Sequence, residues 1–218
     1  MQNTILDIEL EELKFEILRM SALIENAIFE ATKSLIEDRT EMAQKVVAED
    51  DDIDLLNLDV QNKCLRLLAL RQPLAVDLRT VQADLQITTD LERMGDCAEK
   101  IAKSTLRLHG KRTITELSQM SKITGRVREM VSTVINSYAI GDAEMAKSIV
   151  KMENEIDGLY RQYFSGLVET IRSDTSKAEM AVQLLFACHC LERIADHATN
   201  IGESVLYMLT GERASLND

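Results

Sequence analysis

Apolar residues recur three and four positions apart through almost the whole of this 218-residue chain, and few residues interrupt the pattern. The sequence has one proline and eight glycines, whereas a sheet protein needs frequent turns. Aromatic residues, which strands favour, make up only 4% of it. The pattern therefore predicts an all-α fold with six long helices, at residues 4–37, 40–71, 74–108, 115–140, 142–172 and 176–210.

The breaks between the predicted helices carry local signals. Gly141-Asp142 offers a helix stop followed by an N-cap residue. Thr113-x-x-Glu116 and Ser176-x-x-Glu179 have the spacing of capping boxes. Because short connections between long helices force the neighbours to run antiparallel, we expect up-down bundles.

An internal repeat divides the chain into two similar halves. Residues 91–102 match residues 191–202 at an offset of 100, with six of twelve positions identical. Residues 41–54 match residues 144–157 at an offset of 103, again with six identities. A supersecondary unit that occurs twice explains both matches. We therefore expect two repeated antiparallel three-helix bundles, at residues 1–110 and 111–218.

Each half contains two predicted helices on which acidic residues four positions apart interrupt an apolar stripe. The four pairs are Asp50 and Asp54, Glu92 and Asp96, Glu153 and Asp157, and Glu192 and Asp196. Carboxylates that share one helix face repel each other, and the repulsion grows when they lose water. A hard or borderline cation bound by oxygens from two helices would compensate it, as would protonation or the adjacent Arg93 and Arg193. The alternative interpretation is a solvated acidic surface.

Histidine and cysteine do not extend these acids into another recognisable site. Ferritin-like di-iron proteins use Glu-x-x-His, and none of His109, His189 and His197 has an acid three residues before it. Cys188 and Cys190 point about 200° apart on a helix, so we interpret both as buried small residues. We expect a structural or peripheral role for His197.

Charge and motifs exclude several classes of function. The formal net charge is −12, which makes nucleic acid and anionic lipid poor partners. The sequence has no Gly-rich phosphate loop, no GxSxG and no HExxH, and so predicts no enzymatic activity. The acidic N-terminus, the short apolar runs and four cysteines without CxxC spacing favour a reduced cytoplasmic protein.

The repeated segments resemble the PhoU family. The resemblance rests on residues 91–96 (LERMGD), residues 191–196 (LERIAD) and residues 73–79 (PLAVDLR), and it covers about residues 4–210. It implies a cytoplasmic, non-enzymatic regulator that restrains the high-affinity phosphate ABC transporter and its sensor kinase. The implied partners are the ATPase subunit of that transporter and the phosphate-sensing histidine kinase, with contact to the membrane only through them. Family members are often homodimers, which the sequence neither supports nor opposes.

The resemblance also implies metal ions, sometimes in multinuclear clusters of iron or zinc, with manganese a further candidate. Carried over by position, the ligands are Asp50, Asp54, Glu92, Asp96, Glu153, Asp157, Glu192 and Asp196, with Asn200 and Glu203 as further ligands in the second half. Lys100 and Lys103 occupy the positions of Asn200 and Glu203 in the first half, so we expect it to bind fewer ions. Two alternatives stay open: a metal-dependent hydrolase of phosphoesters or polyphosphate that uses the same acids, and a purely structural bundle.

Overall fold

The computed structural model describes residues 4–111 and 117–216, and these two stretches form six long α-helices and no β-strand. The helices are α1 (Ile5–Glu37), α2 (Thr40–Arg71), α3 (Val76–Leu108), α4 (Leu117–Ile140), α5 (Ala143–Ser173) and α6 (Ala178–Thr210). The predicted all-α fold with six long helices is confirmed. The predicted start of the fourth helix at residue 115 lies outside the described residues.

The six helices form two three-helix bundles. Helices α1, α2 and α3 pack on one another, and α4, α5 and α6 do the same. The two bundles meet chiefly through α3 against α6, and α1 also contacts α4. The repeated bundles are therefore confirmed, whereas the division of the chain between residues 110 and 111 stays a prediction.

Equivalent apolar stripes on α3 and α6 form the centre of the core. The fully buried residues of these stripes are Ile87, Leu91, Met94, Ala98, Ile101, Leu191, Ile194, Ala198 and Ile201. Burial of each Leu or Ile side chain contributes about 1.5–3 kcal/mol to folding. Because these stripes must face the core, they also fix which faces of α3 and α6 remain for the acidic residues.

Two side-chain pairs cross the interface between α3 and α6. His197 Nδ1 lies 2.9 Å from Asp90 Oδ1, and the thiols of Cys97 and Cys190 interact directly. At the repeat offset of 100, Asp90 corresponds to Cys190 and Cys97 corresponds to His197. The two residues of one pair are therefore the repeat equivalents of the two residues of the other pair. The contact with Asp90 supports the structural role predicted for His197.

The turn between α4 and α5 follows its sequence signal. Gly141 has a φ of +71°, in the left-handed region that glycine adopts without strain. Asp142 Oδ1 then accepts hydrogen bonds from Glu144 N at 2.9 Å and Met145 N at 3.0 Å. The predicted helix stop and N-cap are confirmed.

The capping box predicted at Ser176 is wrong. Residues Thr175–Lys177 form a short 3-10 helix, and α6 begins after it at Ala178. Asp174 accepts the hydrogen bond from Ser176 N instead, at 3.1 Å, so the cap lies before the 3-10 turn. The other predicted box, Thr113-x-x-Glu116, lies outside the described residues.

Replacing Asp142 with alanine is expected to lower the free energy of unfolding by about 1 kcal/mol, because two amide groups at the start of α5 lose their acceptor. Urea unfolding followed by circular dichroism measures the change. Asp142→Asn keeps the acceptor and serves as the control, with an expected loss of no more than about half as much. Equal losses in the two variants would contradict this account of the cap.

Candidate functional site

The first acidic cluster lies between α2 and α3. Asp50 and Asp54 come from α2, and Glu92 and Asp96 come from α3. Burial, followed by the charges of Glu99, Asp54 and Asp96, raises the pKa of Asp50 to about 6. Burial also raises the pKa of Glu92, and the charges of Asp96 and Asp54 add to the effect. The structure therefore brings together all four acids that the sequence singled out in the first half, and Glu99 joins them.

Basic side chains partly neutralise the first cluster. Lys100 Nζ lies 2.9 Å from Asp96 Oδ2, and Lys103 forms an ion pair with Glu99. Arg93 Nε lies 3.4 Å from Glu92 Oε2. The lysines stand where the second half has Asn200 and Glu203, so the two clusters differ in charge as well as in sequence.

The second acidic cluster lies between α5 and α6 at the equivalent place. Burial raises the pKa of Glu153, a hydrogen bond from Thr199 lowers it, and the charges of Asp196 and Asp157 raise it. Burial raises the pKa of Asp196 as well, and the charge of Asp157 adds to this effect. The carboxylates of the two helices therefore lie within electrostatic range of one another, as the sequence predicts.

Glu192 completes this cluster and contacts a histidine that the sequence analysis did not place at the site. Its carboxyl has a pKa raised chiefly by burial, and also by the charge of Asp196. His189 Nδ1 lies 3.0 Å from Glu192 Oε2, one helical turn away. Among the described residues, no lysine or arginine forms an ion pair with Asp157, Glu192 or Asp196. The second cluster is thus the less neutralised of the two.

Asn200 and Glu203 lie at the edge of the second cluster. Asn200 Nδ2 donates to Asp90 Oδ1 at 3.1 Å and so turns towards α3. Glu203 is close enough to raise the pKa of Glu153, and its Oε1 accepts a hydrogen bond from Leu216 N at 2.7 Å. Both residues already have protein partners, and their role as ligands stays a prediction.

Carboxylate oxygens are suitable ligands for a cation, but in this structure they do not converge on a common position. Within residues 4–111 and 117–216, no three histidine, cysteine, aspartate or glutamate side chains form a ready-made metal site. Glu192 Oε2 is buried, and its one close polar neighbour among the described residues is His189 Nδ1 at 3.0 Å. Because partly buried carboxylates that lie close together repel one another, a cation is a favourable partner for them.

The cysteines are buried, as the sequence predicts for Cys188 and Cys190. Cys188 and Cys190 are at most 3% exposed, and burial raises the pKa of the Cys188 thiol to about 12. All four cysteines are free thiols.

Among the described helices, none has the length and apolar character needed to cross a membrane.

Comparison with known proteins identifies the duplicated fold. The model of the PhoU domain matches residues 17–105 and again residues 118–205, which together are most of the chain. The chain belongs to the PhoU family. The two matches coincide with the two three-helix bundles, and each contains one of the acidic clusters.

Relatives within the PhoU family match over nearly their full length. A phosphate-specific transport system accessory protein PhoU homolog from Clostridium acetobutylicum is 35% identical, over all of both chains. Its counterpart from Aquifex aeolicus is 36% identical over 94% of this chain and 92% of the relative. The crystal structure of PhoU from Pseudomonas aeruginosa has a TM-score of 0.91 at 31% identity, covering 94% of this chain and 99% of that one. The phosphate transport system regulatory protein PhoU from Streptococcus pneumoniae has a TM-score of 0.89 at 29% identity, covering 96% and 99%.

Proposed function

We propose that this chain is a cytoplasmic, metal-binding accessory protein of a phosphate transport system, without catalytic activity of its own. It restrains the high-affinity phosphate ABC transporter through the ATPase subunit, and it restrains the phosphate-sensing histidine kinase. The full-length similarity to phosphate-specific transport system accessory proteins supports this role. The observation that carries the metal-binding part is the pair of acidic clusters at equivalent places in the two repeats.

In this proposal the carboxylates of each cluster hold iron, zinc or manganese ions, singly or as a multinuclear group. The ligands are Asp50, Asp54, Glu92 and Asp96 in the first half, and Glu153, Asp157, Glu192, Asp196, Asn200 and Glu203 in the second. The bound cation supplies positive charge that neutralises the carboxylates. Binding requires rotation of these side chains towards a common point, because the described residues form no ready-made site. Asn200 and Glu203 must also exchange their protein partners for the ion.

The regulatory step follows from preferential binding. A protein without catalytic activity changes the behaviour of a transporter or kinase only by binding one of its conformations more tightly than another. The acidic clusters set the charge of the surface available for that contact, and a bound cation changes this charge. Occupancy of the clusters thereby alters the affinity for each partner.

Elemental analysis of the protein, purified without chelator or affinity metal, tests the proposal. Metal is expected in the wild type and absent from a variant with Glu92, Asp96, Glu192 and Asp196 changed to alanine. A control variant with the exposed residues Glu12, Glu41, Glu169 and Glu212 changed to alanine loses the same charge and is expected to keep its metal. Circular dichroism verifies that both variants remain helical. A wild type that binds no Mn²⁺, Zn²⁺ or Fe²⁺ on titration would refute metal binding.

A further inference from the structure

An apolar strip remains uncovered on the second half. It consists of Phe164 and Val168 on α5 and of Val182 and Phe186 on α6, which are 45%, 37%, 53% and 41% exposed. Tyr160, one turn before Phe164 on α5, extends the strip, with 6.3 Å between the ring centroids. Exposed aromatic and branched side chains on neighbouring helices are typical of an interaction surface.

The strip leads directly to the second acidic cluster. The ring centroids of Tyr160 and His189 are 6.5 Å apart, and His189 Nδ1 lies 3.0 Å from Glu192 Oε2. Because α5 and α6 are antiparallel, this register places Phe164 level with Phe186. Val168 and Val182 lie a further turn away from the acids. The surface is therefore one band along two helices, apolar at one end and anionic at the other.

The first half does not repeat this combination. At the repeat offsets, Phe164 corresponds to Gln61, Val182 to Gln82 and Phe186 to Gln86, although Val168 corresponds to an apolar residue, Leu65. The acids of the first half are also paired with lysines, as described above. The exposed apolar residues beside the first cluster are aliphatic, at Leu58, Leu65 and Leu78, so the aromatic band belongs to the second half.

The negative charge at one end of the band indicates which kind of partner binds there. A second copy of this chain carries a net charge of −12 and would bring carboxylates against carboxylates. A segment with an apolar face and clustered Lys or Arg residues satisfies both ends of the band. From Asp157 to Val168 the band spans 12 residues and has a length of about 16 Å, which is three turns of a partner helix.

We propose that a basic amphipathic helix of a partner protein docks along α5 and α6 of the second half. Its apolar residues pack on Phe164, Val182 and Phe186, and its Lys or Arg residues contact Glu192 and the neighbouring acids while no cation occupies the second cluster. The proposal rests on the accessory function proposed above and assigns the partner contact of that function to one surface. Helix-in-groove recognition of this kind needs an amphipathic partner rather than a defined sequence.

The probe is a fluorescent 18-residue peptide of Leu and Lys with Leu at helical spacing, followed by anisotropy with the full chain. The test variant is Phe164→Gln, Val182→Gln and Phe186→Gln, which installs the residues that the first half tolerates at the equivalent positions. The control variant is Phe15→Gln, Leu70→Gln and Val76→Gln, at positions that are also exposed but lie on the first half. A scrambled peptide of identical composition controls for charge alone.

The wild type is expected to bind the amphipathic peptide at least tenfold more tightly than the test variant does, and the control variant is expected to stay within twofold of the wild type. Equal binding by the test variant, equal binding of the scrambled peptide, or no binding by the wild type would each overturn the proposal. So would a wild-type dimer in light scattering that the test variant dissolves, because the occupant would then be a second copy. Metal content is measured on the same samples. The test variant changes no proposed ligand and is expected to keep its metal, so a loss of peptide binding is distinguished from a loss of metal binding.

Discussion

Replacing Asp84 with asparagine is expected to stabilise the protein at pH 8 by a few kcal/mol and to change little at pH 4. Asp84 is fully buried on α3, and burial raises the pKa of its carboxyl from 3.8 to about 7. Between these two values the folded chain holds a proton that the unfolded chain has lost, so stability falls as pH rises from about 4 to about 7. A shift of this size corresponds to roughly 4 kcal/mol at most. Asparagine does not titrate and retains an acceptor for the Tyr138 hydroxyl, which donates to Asp84 Oδ1 at 2.7 Å.

The measurement is the difference in free energy of unfolding between Asp84→Asn and the wild type, from urea titrations between pH 4 and pH 8. Taking the difference cancels the contributions of other carboxylates, including Glu11. The ionisable groups around the pair include Lys14 on α1, which lowers the pKa of Asp84, and Cys64 on α2, whose pKa burial raises to about 12. The difference is expected to grow up to about pH 7 and then to level off. A difference that does not change with pH would show that Asp84 ionises normally.

Tyr138→Phe provides the complementary variant. It removes the only hydrogen bond that the described residues donate to the Asp84 carboxyl, and Asp84 Oδ2 already has no partner there. The expected loss at pH 8 is about 1–3 kcal/mol, the cost of an unsatisfied buried polar group. Because Tyr138 lies on α4 and Asp84 on α3, this loss also reports how strongly the two bundles are coupled.

Changing Lys100 to asparagine and Lys103 to glutamate is expected to raise the metal affinity of the first half at least tenfold. Lys100 holds Asp96 Oδ2 at 2.9 Å and Lys103 pairs with Glu99, so both compete with a cation for carboxylates. A charge about 4 Å away changes the energy of a site near a protein surface by about 4 kcal/mol before screening, which makes a tenfold change a modest expectation. The two new residues are those that the second half carries.

The affinity of the first half is best measured by calorimetric titration in a chain whose second cluster is disabled by Glu192→Ala and Asp196→Ala. The matched control is Lys45→Asn with Lys147→Glu, which alters charge identically at lysines paired with Glu30 and Glu144. An equal gain in the control would mean that net charge alone governs binding. No gain in either variant would mean that the lysines do not compete with the metal.

The fold and the placement of the acidic clusters could be predicted because both depend on short-range spacing. Residues such as Leu91 and Ile101 recur at helical intervals, and the helix face that they leave free carries Glu92 and Asp96. The repeat then extended each conclusion from one half to the other. The capping box predicted at Ser176 is wrong for a local reason, since Asp174 accepts the hydrogen bond from the Ser176 amide and caps the chain two residues earlier.

Contacts that depend on the packing of distant segments could not be predicted from spacing. Asn200 bonds to Asp90 because α6 lies in one particular register against α3. Glu203 accepts from Leu216 because the segment after α6 folds back on it. The contact between His189 and Glu192 follows from short-range spacing, since residues three apart share a helix face, but its order is His-x-x-Glu, the reverse of the Glu-x-x-His motif.

The exchanged pairs at the α3–α6 interface bear on how the chain arose. In a two-fold symmetric dimer, residue i of one subunit contacts residue j of the other, and residue j of the first subunit contacts residue i of the second. Asp90 with His197 and Cys97 with Cys190 obey this rule across the repeat. The interface therefore has the form of a homodimer of a three-helix ancestor whose two subunits became one polypeptide. Within one polypeptide the two halves can change independently, so equivalent contacts can carry an aspartate–histidine pair on one side and a thiol pair on the other.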